Sequence, residues 1–472
     1  MDIKNFYPNL KWNLDIKGIT SNSKNVKKDY IFVTIKGKKD DGNNYIKEAI
    51  KNGASLIVTN KSFLSPIKKV IVLNPKLEYI RLLQIFYSYK DNLYTVGLTG
   101  TDGKTTTSTL LNSVFNRVNK SALINSNGIN YLNRKFKTHN TTPNPNIIYQ
   151  AYRVFNKHNI KDLVMEVSSE AILDKRIYNF KFDGAIMTNL THEHLNSHKT
   201  MKSYFKCKMK LFKLLDKNGL AVVNADCPYC IKVKHYTKAN IITYGINQGD
   251  YKAYNLILNN NNSELDVYYK NKFLYHFKTN LFGKYNIYNT LSVIAYTYEL
   301  GIPIDIIQKG LLDVTNIPGR NIRYYVNNIL IIIDYAHTPN AIYNLLENVR
   351  LITKGNIIIV MGSQGGKDKS KRSIMGKIAI NLADKVIFTS EDPKDESLFS
   401  ILSDLTKDID NKDYYITFFR EEGIKLAINL AKENDTIVIV GKGAEETEII
   451  NGNTFKHNDL KIVTKYLEEK KN

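Results

Sequence analysis

The segment Gly100-Thr101-Asp102-Gly103-Lys104-Thr105-Thr106 joins the apolar run NLYTVGL to the helix-forming STLLNSVF. A strand, a glycine-rich turn and a helix start offer what a triphosphate needs: backbone N–H groups, a positive helix end and one ammonium. Thr105 would add a hydroxyl ligand for Mg²⁺. The common spacing G-x-x-x-x-G-K-[ST] fails, because Leu98 stands five residues before Gly103. Two other groups invite a metal reading: the row His192, His194 and His198, and the pair Cys227 and Cys230. The C-x-x-C has no second pair to complete a four-ligand site, so these thiols and Cys207 read as reduced bystanders.

The elements that must position this turn are legible around it. Residues 1–92 alternate short apolar runs (YIFVTI, ASLIVTN, KKVIVL) with helices around YIKEAIKNG and LEYIRLLQIFYSY, a small α/β unit. From 93 to 318, TVGL, DLVMEV, DGAIMTN and LAVVNAD are β-branched strands between helical segments, predicting a parallel sheet with a ligand site at its strand ends. From 319 to 472, NILIIID, NIIIVMG, KVIFTS and DTIVIVG alternate with helices in a second doubly wound pattern. The stretch NLILNNNNSEL reads as a surface loop. Three α/β domains follow.

The net charge of +22 makes nucleic acid a partner to consider. The lysines are spread along the chain rather than gathered in one arm, which favours a compositional bias and an anionic small substrate, with no nucleic acid. No apolar run is long enough to span a membrane, and the first residues lack a signal-peptide core. The expectation is a cytoplasmic monomer without membrane insertion.

GTDGKTT resembles the shortened phosphate loop, G-T-[ND]-G-K-[ST], of the Mur ligases and folylpolyglutamate synthases, and further matches run in order from residue 21 to residue 446. The resemblance is strongest to the MurE branch, the UDP-N-acetylmuramyl-tripeptide synthetases. It implies a uridine-nucleotide domain over 1–92, a central parallel-sheet ATPase domain over 93–318 and a C-terminal Rossmann-like domain over 319–472 that takes the amino acid.

Residue roles carry over motif by motif. MEVSSEAILDKRI is similar to M-E-V-S-S-H-A-L-x-x-x-R-V, which implies Mg²⁺ at Glu166 and contacts from Ser168, Asp174 and Arg176 to the UDP-sugar peptide. TNLTHEHLNSHKTM implies that His194 serves a second Mg²⁺, while His192 and Glu193 replace the motif's Arg and Asp. TMKSYFKCKMKLF places Lys208 where these ligases carry an N-carbamylated lysine (N6-carboxylysine), an anionic oxygen donor for Mg²⁺. FGKYNIYN implies adenine contacts from Asn286 and Asn289, and IPGR and IIIDYAHTP imply that Arg320 and Asp334 grip the nucleotide. SNSKNVKKDYIFVTIKGKKDDG implies uridine-site roles for Ser23, Lys38, Lys39 and Asp40, and HNTTPNP implies hydroxyls from Thr141 and Thr142 for the muramyl peptide.

In the third domain the resemblance implies an amino-acid pocket at Lys367, at Glu391-Asp392-Pro393-Lys394 and at Gly441 and Glu445. Lys367 and Lys394 stand where the diaminopimelate enzymes have arginine; an Arg fork binds a carboxylate bidentately and Lys does not. Glu170 and Ala444 replace histidines of the pattern, and Gly366 replaces an aspartate. The implied activity is an ATP- and Mg²⁺-dependent amide ligase acting in peptidoglycan synthesis. It adds diaminopimelate or another diamino acid to UDP-MurNAc-L-Ala-D-Glu through an acyl phosphate, with Lys104, Lys208 and His194 at the chemistry. Alternatives are a divergent ligase of this type with another amino acid or acceptor, a folylpolyglutamate synthase-like ligase, and a nucleic-acid-binding ATPase.

Overall fold

The structure, a computed structural model, describes residues 1–37, 40–259, 261–410 and 413–469. Four parallel strands open the chain in sequence order: Gly18–Thr20, Tyr30–Val33, Ala54–Thr59 and Lys68–Ile71. Side chains alternate across a strand. Ile31, Val33, Leu56 and Val58 therefore meet the helix Pro75–Phe86, while Phe32 and Ile57 face Val26, Ile46 and Ala49. The helix Pro75–Phe86 also packs on the helix Pro145–Lys157, where Gln84 donates to the Tyr149 hydroxyl at 3.0 Å. The first two domains thus share one core.

The central sheet has eleven strands, with Tyr94–Thr99 between Asp162–Glu166 and Phe182–Met187, all parallel. From Tyr94–Thr99 the chain winds to one side through Ser121–Asn125 and Asp162–Glu166, then crosses to the other through Phe182–Met187 and Leu215–Asn224. Loops leaving such a switch point diverge and open a crevice at the carboxyl ends of the strands. The sheet is mixed rather than purely parallel. Gly128–Tyr131 and Arg134–Phe136 extend one edge antiparallel; Ser263–Tyr269 and Lys272–Thr279 extend the other. The latter corrects the loop expected at NLILNNNNSEL, whose ends belong to the strands Tyr251–Leu258 and Ser263–Tyr269. Ser263, Leu265 and Val267 alternate inward there, a period that the asparagine run conceals.

The third domain holds six strands in the order Ile322–Val326, Ile329–Asp334, Thr436–Val440, Ile357–Met361, Lys385–Phe388 and Tyr415–Ile416, all parallel except the first. Its Ile- and Val-rich central strands are buried on both faces, as a sheet covered by helices on each side requires. Beneath one face the fully buried Arg420 donates through Nε and Nη2 to both oxygens of Asp459 at 2.8 Å. Burial alone would raise the Asp459 carboxyl, but Arg420 and His457 hold it well below the usual carboxylate range. A depressed folded value stabilises the fold above the unfolded carboxyl's pKa, and that stability is lost on acidification. Asp459→Asn leaves a buried guanidinium uncompensated and is expected to cost about 3–5 kcal/mol, read as a lowered denaturation midpoint at pH 7. A cost under about 1 kcal/mol would show that the pair does not secure this domain. Among the described residues no helix is long and apolar enough to cross a membrane.

Candidate active site

The glycine turn follows the strand Tyr94–Thr99 and feeds the helix Lys104–Val118, with Gly103 at φ 83° as its N-cap. That left-handed conformation suits glycine, and a Cβ there would lie 2.4 Å from Asn289 Oδ1. Gly100 is squeezed further: a Cβ would lie 1.9 Å from Thr188 Oγ1. The turn is held from the neighbouring strand's exit. Asn189 Oδ1 accepts the Thr101 and Asp102 N–H groups at 3.1 and 2.9 Å, and Thr188 Oγ1 donates to the Asp102 carbonyl at 2.6 Å. Lys104 Nζ donates to the Gly100 and Thr101 carbonyls at 3.1 and 2.7 Å. Burial lowers the Lys104 pKa, opposed by the Glu166 and Asp102 charges. Thr106 lines the same cleft.

Glu166 ends the strand Asp162–Glu166, fully buried, and among the described residues its carboxylate accepts only from Ser126: N–H at 3.3 Å and Oγ at 3.4 Å. Among the described residues it makes no ion pair, so its charge is open to a cation from the cleft. His194 lines the cleft at φ 60°, its pKa driven down to about 2 by burial and by Lys208, Lys104, Lys367 and His337. It is a neutral ring. Lys208 lies beneath the turn rather than on the cleft surface, 1% exposed, donating to the Gly100 carbonyl at 2.7 Å with its ammonium 4.6 Å from the Tyr204 ring centre. Burial and then Lys104 hold its pKa well below that of an ordinary lysine.

A cleft of about 2700 Å³ runs from this turn to the third domain. Asn286, Asn289, Arg320 and Asp334 also line it. Asn289 Nδ2 donates to Asn286 Oδ1 at 3.0 Å, and Asn286 Nδ2 donates to the Phe282 carbonyl at 2.8 Å, so these amides brace each other. Arg320 stacks 4.4 Å from the Tyr335 ring centre and donates to Thr105 Oγ1 at 3.1 Å. Burial raises the Asp334 carboxyl, although it accepts the Asn321 and Ala336 N–H groups at 2.7 Å.

Residues that motif reading left without a role clamp the two domains. Glu193 and Lys371, each 4% exposed, pair at 3.1 Å, and Lys371 also donates to the His337 carbonyl at 2.6 Å. Asp368 accepts the Leu195 N–H at 3.0 Å, His192 shares a hydrogen bond with Ser370 at 2.9 Å, and Thr338 donates to Asp102 at 3.2 Å. His192 and Glu193 therefore seat the third domain. Their departure from the family pattern was the available signal.

On the central-domain wall, Arg176 donates to the Thr142 carbonyl and to Asp174, each at 2.9 Å, and Thr142 Oγ1 donates to the Glu166 carbonyl at 2.7 Å. Thr141 shares a hydrogen bond with Ser126 at 3.0 Å, and Ser168 caps the short helix Ser169–Leu173. Thr141, Ser168 and Arg176 line the cleft; Thr142 and Asp174 stand behind them. The opposite wall presents Lys367, Glu391, Asp392, Lys394 and Glu445. Lys367 lies 3.8 Å from Glu170, a carboxylate of the central domain. The buried Lys442 bonds Asp392 at 2.8 Å and Glu445 at 3.0 Å. Pro393 sits between two left-handed residues, with its carbonyl against Gly365, and Gly441 backs Glu391. Among the described residues the first domain contributes nothing to this cleft: Ser23 is buried and donates to Glu48 at 2.5 Å, and Asp40 is exposed. Lys38 and Lys39 lie outside the described residues.

Comparison with known proteins covers all three domains. The family models for the Mur ligase family catalytic domain, the Mur ligase middle domain and the Mur ligase glutamate ligase domain match residues 15–93, 98–297 and 320–443. The UDP-N-acetylmuramoyl-L-alanyl-D-glutamate–2,6-diaminopimelate ligase of Aquifex aeolicus is 37% identical over 455 residues, covering 96% of this chain and 94% of the relative. A solved ligase of the same name superposes at TM-score 0.67 with 24% identity, over 100% of this chain and 99% of that one. MurF of Thermotoga maritima in complex with ADP superposes at TM-score 0.69 with 20% identity, over 96% and 98% of the two chains. With a relative at this identity over almost its whole length, and family models matched in order along all three domains, the chain belongs to the Mur ligase family.

Proposed function

We propose that this protein is an ATP-dependent amide ligase that joins diaminopimelate to UDP-MurNAc-L-Ala-D-Glu. The observation that carries the reading is the single cleft holding the phosphate turn at one end and the Lys367–Lys394 wall at the other. ATP lies with its phosphates over Gly103-Lys104-Thr105 and its nucleoside between Asn286, Arg320 and Asp334. The γ-phosphoryl passes to the D-Glu side-chain carboxylate, held by Thr141, Ser168 and Arg176; the amine then displaces phosphate from that acyl phosphate. Lys104 neutralises charge that grows on the transferring group. Ser23 and Asp40, with Lys38 and Lys39, would meet the uridine nucleotide.

Mg²⁺ fits the residues present. Glu166 offers a buried carboxylate without an ion pair among the described residues, Thr105 a hydroxyl and His194 a ring whose protonation burial disfavours. Burial and Lys104 disfavour the Lys208 ammonium, and a neutral amine is the form that takes up CO₂ as a carbamate, which would add oxygen donors suited to a hard cation. When bound, the ion would screen the phosphate charges.

Burial first, and then the nearby Lys367, disfavour the Lys394 ammonium. A ligand with two carboxylates relieves that repulsion, which favours diaminopimelate over lysine or ornithine, and the relatives' names agree with this choice. The test is phosphate release with ATP, Mg²⁺ and UDP-MurNAc-L-Ala-D-Glu against meso- and LL-diaminopimelate, L-lysine and L-ornithine. Diaminopimelate is expected to exceed lysine at least about 10²-fold in kcat/KM, the scale of one lost charged contact. Turnover with none of the four would refute the acceptor assignment.

A further inference from the structure

Glu391 follows the strand Lys385–Phe388, at the carboxyl end of the third-domain sheet. It is 1% exposed, lines the cleft, and among the described residues neither carboxylate oxygen has a hydrogen-bond partner. Gly441, at φ 107°, leaves room for it: a Cβ there would fall 2.1 Å from Glu391 Oε2. Ser363, at the end of the adjacent strand Ile357–Met361, likewise keeps a buried hydroxyl without a partner. A buried acid with both oxygens unmet is costly and is retained where a ligand completes it.

We propose that Glu391 is the catalytic base that takes the proton an incoming ammonium must lose before its nitrogen attacks the acyl phosphate. The proposal rests on the ligase reading above. One N–H bond breaks as the Glu391 O–H bond forms, and the freed lone pair makes the C–N bond. Collapse of the tetrahedral adduct breaks the C–O bond to phosphate, which leaves with the electron pair and one of the two remaining N–H protons as hydrogen phosphate, the other staying as the amide N–H. Glu391 then returns its proton to solvent.

Several other cleft groups are engaged or too weak. Asp392 Oδ1 accepts from Lys442 and from the Ile449 N–H, Glu445 is held by Lys442, and Glu193 by Lys371. The rings of His194 and His337 are pushed down to about 2 and about 3, mainly by burial. The charged and titratable groups facing Glu391 are Arg420, Lys371, Lys442, Glu445 and Tyr335. Burial outweighs the three cations and lifts the carboxyl to about 7, where a base both ionises and accepts at neutral pH.

The test compares E391Q with the unaltered enzyme, each with ATP, Mg²⁺ and UDP-MurNAc-L-Ala-D-Glu, using either diaminopimelate or hydroxylamine as nucleophile. Hydroxylamine is largely unprotonated at neutral pH and needs no base. E391Q should lose about 10²–10⁴-fold in kcat with diaminopimelate, with little change in KM, yet form hydroxamate at the unaltered rate, which also reports an intact fold. Its kcat should lose the acid limb near pH 7 and climb with pH as free amine accumulates. E391D, which keeps a carboxylate, should regain part of the rate. Equal losses with both nucleophiles, or a raised amino-acid KM at unchanged kcat, would overturn the proposal. Absence of hydroxamate from the unaltered enzyme would instead remove the acyl-phosphate reading, and the proposal with it.

Discussion

Lys208→Ala is expected to lower kcat by about 10³-fold, the scale of one preorganised charge-stabilising group, and to regain part of that rate when acetate or formate is added. Lys208 is buried, has no carboxylate partner among the described residues, and spends its ammonium on the Gly100 carbonyl under the phosphate turn. A lysine so placed beside Lys104 is costly as a cation. As a carbamate it would be an anion, which would offset the charge of Lys104. Truncation opens a space against Tyr204 in which a small carboxylate can sit. Steady-state assays across acetate concentrations check this, and an unimpaired variant would remove the carbamate from the mechanism.

Lys104→Met should be at least as damaging, with a fall of about 10³-fold or more in ATP-dependent phosphate release. Its Nζ bonds the consecutive Gly100 and Thr101 carbonyls at the start of the glycine turn, so it shapes the loop as well as neutralising phosphate. The amino-acid KM should change little, because the third-domain wall is untouched. A loss under tenfold, measured by coupled ADP formation, would place the phosphates elsewhere.

The parts of this site that could be read from sequence are those set by local chain geometry. Gly100 and Gly103 mark a turn whose tightness only glycine tolerates, and the apolar run before them and the helix after them are contiguous. Glu166 was legible because it ends a β-branched run. Long-range partners were not: Thr188 and Asn189, which hold the turn, and Lys371, which pairs with Glu193, come from distant elements whose proximity depends on the fold. The antiparallel extension through Ser263–Tyr269 was hidden by flanking asparagines, although Leu265 and Val267 keep the strand period. The location of Lys208 under the turn, and the two unmet oxygens of Glu391, are properties of packing that no motif encodes.

The acyl phosphate can be tested most directly with UDP-MurNAc-L-Ala-D-Glu carrying ¹⁸O in the D-Glu side-chain carboxylate, turned over with ATP and diaminopimelate. Attack of that carboxylate on the γ-phosphorus, followed by C–O cleavage, requires one ¹⁸O atom in each phosphate released at full enrichment. Phosphate that carries no label, with the displaced ¹⁸O recovered in water, would contradict transfer through the carboxylate.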